Sequence, residues 1–224
     1  MTNTLWDHAY QYFSAQQAIY LKFKALDFEQ QIALLCPQEG QNAETPTIVS
    51  LLDLRDEVAT NLQTLIDSIS SLLAQEHRRY VVDALAFYCD ETVLTQYITQ
   101  INVTQETLEH LSRASVVQKL SAFWPKLQMQ FCQCHNGGEL FFTNLHTILS
   151  HPDTFRFALE IYLLCLKQGF VGRYLQHNDM LEHYQSQCLK VLTPLANQSV
   201  MKQARAQSRL KNEPMLGEHH ASSI

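Results

Sequence analysis

Leu51, Leu54, Val58, Leu62, Leu65, Ile69 and Leu72 recur at steps of three and four, which is the spacing of one apolar seam along a helix. Ser50, with Asp53 three residues on, suits a capping box at its start. Ahead of it Trp6, Tyr10, Phe13, Ile19 or Tyr20, and Phe23 fall at roughly helical spacing. They predict a helix from Leu5 that ends at Cys36-Pro37, because the residue before a proline is pushed out of the helical region. Gln38 to Thr47 reads as a polar loop. A further helix is predicted from about Glu76 to Tyr97. Asn102 to Gln105 is a connector with Thr104 as N-cap, and a short helix to Leu111 follows. Ser115 to Cys134 is again helical, with Val116, Leu120, Phe123, Trp124, Leu127 and Phe131 on one face and Pro125 bending or restarting it.

Gly137-Gly138 breaks this pattern, and Glu139 to Leu149 resumes it as a short helix. His151-Pro152 opens the next helix with proline in its first turn, and Gly169 fits its C-terminal cap. From Ala158 to Leu166 that helix, Pro152 to Gln168, is apolar nearly all round, so it is expected to be the most buried element. A last helical region runs from about Asp179 to Leu210, interrupted at Pro194, and the polar tail from Asn212 is expected to be disordered. The pattern gives about seven to eight helices, no strand and no internal repeat. The expected fold class is all-α, with a helical domain over 1–198 and a basic, then polar, tail over 199–224.

Composition narrows the functional classes. Apolar residues make up 46% of the 224, enough for a globular core. Sixteen basic against twenty-two acidic residues leave a net charge of −6. That balance argues against nucleic acid and against a cationic membrane-binding surface. The longest apolar run, Ile161 to Leu166, is far short of the roughly 20 residues that cross a bilayer, and no apolar leader precedes Asp7 and His8. The six cysteines, Cys36, Cys89, Cys132, Cys134, Cys165 and Cys188, read as small buried hydrophobes. Cys132-Gln133-Cys134-His135 has the wrong internal spacing and no second pair for structural zinc, so neither metal nor cofactor is expected. No His-Glu-x-x-His, Gly-x-Ser-x-Gly, nucleotide loop or paired Glu-x-x-His occurs, and the chain is not read as an enzyme.

Three polar intrusions into apolar helices stand out. In Ala84-Leu85-Ala86-Phe87-Tyr88-Cys89-Asp90-Glu91-Thr92-Val93-Leu94, one broad arc holds Val81, Val82, Ala84, Leu85, Tyr88, Cys89 and Val93. Asp83, Asp90 and Glu91 fall opposite, interleaved with Phe87 and Leu94. An acidic arc dotted with large apolar groups has the make-up of a protein-docking surface. The competing reading has Phe87 and Leu94 meeting another helix while the carboxylates hold loops. Gly137-Gly138 reads as a tight interhelical corner with Glu139 at the following helix N-terminus, where the dipole favours an anion. Glu160, in the most apolar helix, needs a partner. Arg173, in the Gly172-Arg173-Tyr174 turn just beyond, is the nearest candidate for a structural ion pair.

Taken in order, with Trp124 before Gly137-Gly138-Glu139-Leu140-Phe141-Phe142 and with Leu159 to Leu166 closed by Gly169-Phe170-Val171-Gly172-Arg173-Tyr174, these segments resemble the DotU/TssL/IcmH family over roughly Asp53 to Leu192. The resemblance implies a helical cytoplasmic domain of two small packed bundles forming a hook, and a structural part in a type VI secretion membrane complex. It implies partners in an IcmF/TssM-like inner-membrane protein and in baseplate components, leaves self-association into a dimer open, and places an Asp-Glu pair in a surface cleft. It also implies a C-terminal membrane anchor at the inner membrane. Val200 to Ile224 is polar, and Lys202, Arg205, Arg209 and Lys211 would suit the cytoplasmic flank of such an anchor. The expectation is therefore a chain ending just before its anchor, or an anchorless relative. The type IVb relative and an unrelated helical adaptor are the alternative readings.

Overall fold

The computed structural model describes residues 2–25, 51–97 and 124–193. Cys36-Pro37, Ser50, the 102–111 connector, the first part of the Ser115 to Cys134 prediction, and the tail lie outside the described residues. What is described is helical, and no strand occurs among these residues. Helix α1 spans Thr2–Ala25, α2 Leu51–Ile69 and α3 Gln75–Thr92, which passes into a single π turn at Val93–Tyr97. Then come α4, Leu127–Phe131, α5, Gly137–Ser150, and α6, Arg156–Lys167. A 3₁₀ turn, Gly172–Tyr174, leads to α7 over 178–193.

The seam predicted for α2 is the one that is buried: Leu54, Val58, Leu62, Leu65 and Ile69 all face the core. In α1 the buried row is Leu5, Ala9, Tyr12, Ile19 and Phe23: Ile19 and Phe23 are buried as predicted, while the first three lie one position before the predicted Trp6, Tyr10 and Phe13. Tyr10 is exposed, and Trp6, Phe13 and Tyr20 are half-buried. Within that row Ala9, with no side chain beyond Cβ, sits fully buried. The Asn61 side-chain amide donates to the Tyr12 carbonyl (3.1 Å), pinning α2 to α1.

Pro125 does restart the chain: Trp124 to Lys126 are not helical, and α4 begins at Leu127. Helix α6 starts at Arg156 rather than Pro152, since residues 152–154 form turns. It is closed as predicted. The Phe170 N–H bonds to the Cys165 carbonyl (3.0 Å) and the Gly169 N–H to that of Leu166 (3.2 Å), with Gly169 at φ +96°. This is the Schellman arrangement, in which glycine takes the left-handed position at no steric cost. One connected apolar cluster joins α1, α2, α3, α5, α6 and α7. Helices α3 and α6 run through it, buried on most of their circumference.

Candidate functional site

The predicted acidic stripe of α3 turns out to be an internal seam. Phe87 and Asp90 are buried (2% and 4% exposed), while Asp83, Glu91 and Leu94 are half-buried. The expectation of an exposed arc is corrected for Phe87 and Asp90, and the reason is geometric. Residues 83, 87 and 90 lie on one face of α3, and that face receives the starts of α4 and α5.

Asp90 Oδ1 accepts hydrogen bonds from the Trp124 indole N–H and the Leu127 backbone N–H, both at 2.8 Å, and Oδ2 accepts from the Gln128 N–H at 3.0 Å. Lys126, at the N-cap position of α4, supplies no side-chain cap. Asp90 thus satisfies orphan donors of a helix to which it does not belong. Burial pushes its carboxyl pKa up, while the Gln128, Trp124 and Leu127 donors and the charge of Lys126 pull it back.

Glu91 does the same for a different segment. Its Oε1 accepts from the Val171 N–H (2.6 Å) and Oε2 from the Gly172 N–H (2.8 Å), at the start of the 3₁₀ turn. Burial raises this carboxyl as well, and the two backbone donors oppose it. Two adjacent carboxylates on one helix therefore hold two chain segments, 37 and 81 residues away. Two turns earlier, Asp83 takes the Asn144 amide of α5 (3.0 Å), with the Cys132 thiol and the charge of Arg79 also at its carboxyl.

The double glycine is used for closeness rather than for backbone freedom. Gly137 and Gly138 are the first residues of α5, not a break before it, and neither takes a positive φ. A Cβ on Gly137 would lie 2.3 Å from Gln128 Oε1 and 2.5 Å from Phe87 Cδ1, and one on Gly138 would lie 3.3 Å from the Gly172 backbone. Gly172 itself is at φ +50°, and its Cβ would lie 2.9 Å from the Gly138 carbonyl oxygen. Glycines on two segments thus let α5 and the 3₁₀ turn meet at backbone contact, and let the start of α5 close on the side chains of Phe87 and Gln128. Glu139 stands in the first turn of α5, exposed, as its position predicted.

The expected Glu160–Arg173 pair is not formed. Glu160 is half-buried, accepts from the Trp6 indole N–H (2.9 Å) and pairs with Arg156 (3.1 Å), four residues earlier. The i,i+4 spacing of Arg156 and Glu160 was the available sequence signal; nothing in the sequence pointed to Trp6. Arg173 is exposed and lies over the rings of Tyr174 and Phe142.

Cys132 and Cys134 are half-buried, His135 is exposed, and no group of three or more potential ligands gathers among the described residues. A cavity of about 100 Å³ lies between α1, the end of α3 and the end of α6, lined by Phe13, Gln16, Tyr20, Tyr88, Cys89 and Gln168 among others. Its thiol, Cys89, is pushed up to about 12 by burial and bonds to the Tyr12 hydroxyl (2.8 Å), so it stays neutral and is a poor nucleophile at ordinary pH.

The fold and its carboxylate clamps define an all-helical scaffold in which polar chemistry is spent on holding backbone together. The family model for the type VI secretion system protein DotU matches residues 40–222, and the chain belongs to this family. It is accordingly a component of type VI secretion. No curated protein and no solved structure matches it. Helix α1 lies outside the matched residues. No helix among the described residues is long and apolar enough to cross a membrane.

Proposed function

We propose that this chain is a structural part of the type VI membrane complex, held at the cytoplasmic face of the inner membrane. There its helical domain docks an IcmF/TssM-like partner and baseplate components. The observation that carries this reading, beside the family match, is the use of Asp90 and Glu91. A desolvated carboxylate pair, Asp90 buried and Glu91 half-buried, that accepts five N–H donors serves rigidity, as a scaffold requires. Docking then belongs to the surface the pair holds in place rather than to the pair itself.

The test is a chromosomal deletion complemented with the intact chain, scored by release of the machine's secreted substrates and by co-purification with the IcmF/TssM-like protein. Loss of both on deletion and recovery on complementation is expected. Unchanged secretion in the deletion strain would overturn the reading.

A further inference from the structure

The segment that Glu91 grips carries an unusual surface. Its two backbone bonds to Val171 and Gly172, together with the contact between Gly172 and Gly138, fix the 3₁₀ turn Gly172–Tyr174 against the core. From this fixed turn two side chains project. Leu175 is 68% exposed, the most exposed of the large hydrophobic residues described. Arg173 lies with its guanidinium carbon 4.8 Å from the Tyr174 ring centre and 5.8 Å from that of Phe142, and it donates to the Tyr174 hydroxyl (2.8 Å). The Tyr174 ring in turn stands edge-on to Phe142 (4.6 Å) and beside Tyr184 (5.9 Å). Arg173 is in none of the ion pairs found among the described residues, such as Lys22–Glu57, Arg55–Asp56 and Arg156–Glu160.

An arginine held against an aromatic platform keeps its charge and offers a planar fork. Because the platform already orders it, less side-chain freedom is lost when a carboxylate arrives. Arg and Tyr beside an exposed aliphatic group are also the residue types that dominate binding energy at protein interfaces. The charge selects the occupant: this exposed cation, in no ion pair with a carboxylate of the described residues, complements an acidic group. Anionic lipid is a poorer fit, since membrane surfaces are read by clusters of roughly four to eight basic residues and this turn has Arg173 alone.

We propose that Arg173, Tyr174 and Leu175 form a docking knob for an acidic segment of a protein partner. A carboxylate of that segment takes the Arg173 fork and a neighbouring apolar side chain covers Leu175. The proposal rests on the scaffold reading and names the surface through which it works. It also gives the Asp-Glu motif an indirect part, because Glu91 positions the knob without touching the partner.

The test places the photo-crosslinker p-benzoylphenylalanine at position 175 of the full chain in cells with an intact secretion locus, and maps the captured segment by mass spectrometry. The expected product is a segment of another protein with Asp or Glu beside an apolar residue, and Arg173→Glu should abolish its capture. That segment, made as a synthetic peptide, should bind the wild-type chain at least about tenfold more tightly than Arg173→Gln, the size of effect one charge-assisted bond gives. Melting temperatures should be unchanged, because Arg173 and Leu175 are exposed and Glu91 holds backbone. No capture, capture of lipid, capture of a second copy of the chain, a neutral or basic segment, or capture undiminished by Arg173→Glu would each overturn the proposal. If any of these occurs while co-purification and secretion persist, the knob is wrong and the scaffold reading stands. If the wild-type chain neither co-purifies nor supports secretion, the scaffold reading itself falls.

Discussion

Asp90 caps Leu127 across 37 residues of sequence: its Oδ1 takes the Leu127 N–H at 2.8 Å, filling the place an N-cap side chain of α4 would fill. Helix α4 is five residues long, too short to be stable by its own propensity. It exists because the buried carboxylate meets its first amides and the indole of Trp124 just ahead of them. The same device, Glu91 on Val171 and Gly172, sets the 3₁₀ turn. Two consecutive residues of α3 thus define where two distant segments begin.

Removing the cap should be costly. Asp90→Ala leaves the Trp124, Leu127 and Gln128 donors buried without an acceptor, at about 1–3 kcal/mol for each buried group left unsatisfied, so a loss of at least about 3 kcal/mol is expected from urea denaturation. Asp90→Asn keeps one acceptor oxygen and should lose less. Equal stability of Asp90→Ala and wild type would mean that α4 is held by other contacts.

Glycine substitutions should separate closeness from backbone conformation. Gly137→Ala drives a methyl into Gln128 and Phe87, and overpacking of this kind costs about 1–3 kcal/mol. Gly169→Ala meets nothing within 4 Å but stays at φ +96°, where a Cβ costs about 1–2 kcal/mol. An added double substitution of Gln128 and Phe87 to Ala should reduce the penalty of Gly137→Ala and leave that of Gly169→Ala alone. Thermal unfolding of each glycine variant against its own parent, in the wild-type and in the doubly substituted background, measures both.

At α1 the informative pair is Trp6 and Arg173. Trp6→Phe removes the donor to a half-buried Glu160 carboxylate, and a hydrogen bond to a charged group contributes about 1.5–3 kcal/mol. Arg173→Ala, at an exposed site, should change stability by no more than about 0.5 kcal/mol. The reverse ranking in a chemical denaturation series would restore Arg173 as the partner of Glu160.

Alkaline conditions should unfold the chain through its buried thiols. Burial pushes Cys89 and Cys188 up to about 12 from an ordinary value of 9.0. Between those values the unfolded chain has given up protons that the folded chain retains. This stabilisation is therefore complete below about pH 9 and is lost as pH rises towards 12, at up to about 1.4 kcal/mol per pH unit for each thiol. The urea midpoint should fall between pH 9 and 11, and Cys89→Ala should flatten the slope. A midpoint that rises over this interval would contradict the assignment.

Much of the architecture is written in the periodicity. The seam of α2, the extent of helical chain from α3 to Tyr97, the restart at Pro125 and the glycine closure of α6 follow from local rules: where apolar groups recur, where a proline forbids a helix, where only glycine fits. Sequence alone also shows that Glu160 sits in an apolar helix and must find partners. It cannot name those partners. The donors to Asp90 and Glu91 are mainly backbone N–H groups, which every residue but proline carries and no letter distinguishes. Periodicity misplaced the first half of the α1 seam because two rows one residue apart were both apolar, and only tertiary packing chose Leu5, Ala9 and Tyr12 over Trp6, Tyr10 and Phe13. It likewise left Phe87 and Asp90 on an open face, since a helix wrapped on most of its circumference has no polar side to mark. That choice was made in three dimensions, where the starts of α4 and α5 and the glycines at 137, 138 and 172 come close enough for a buried carboxylate to be repaid in hydrogen bonds.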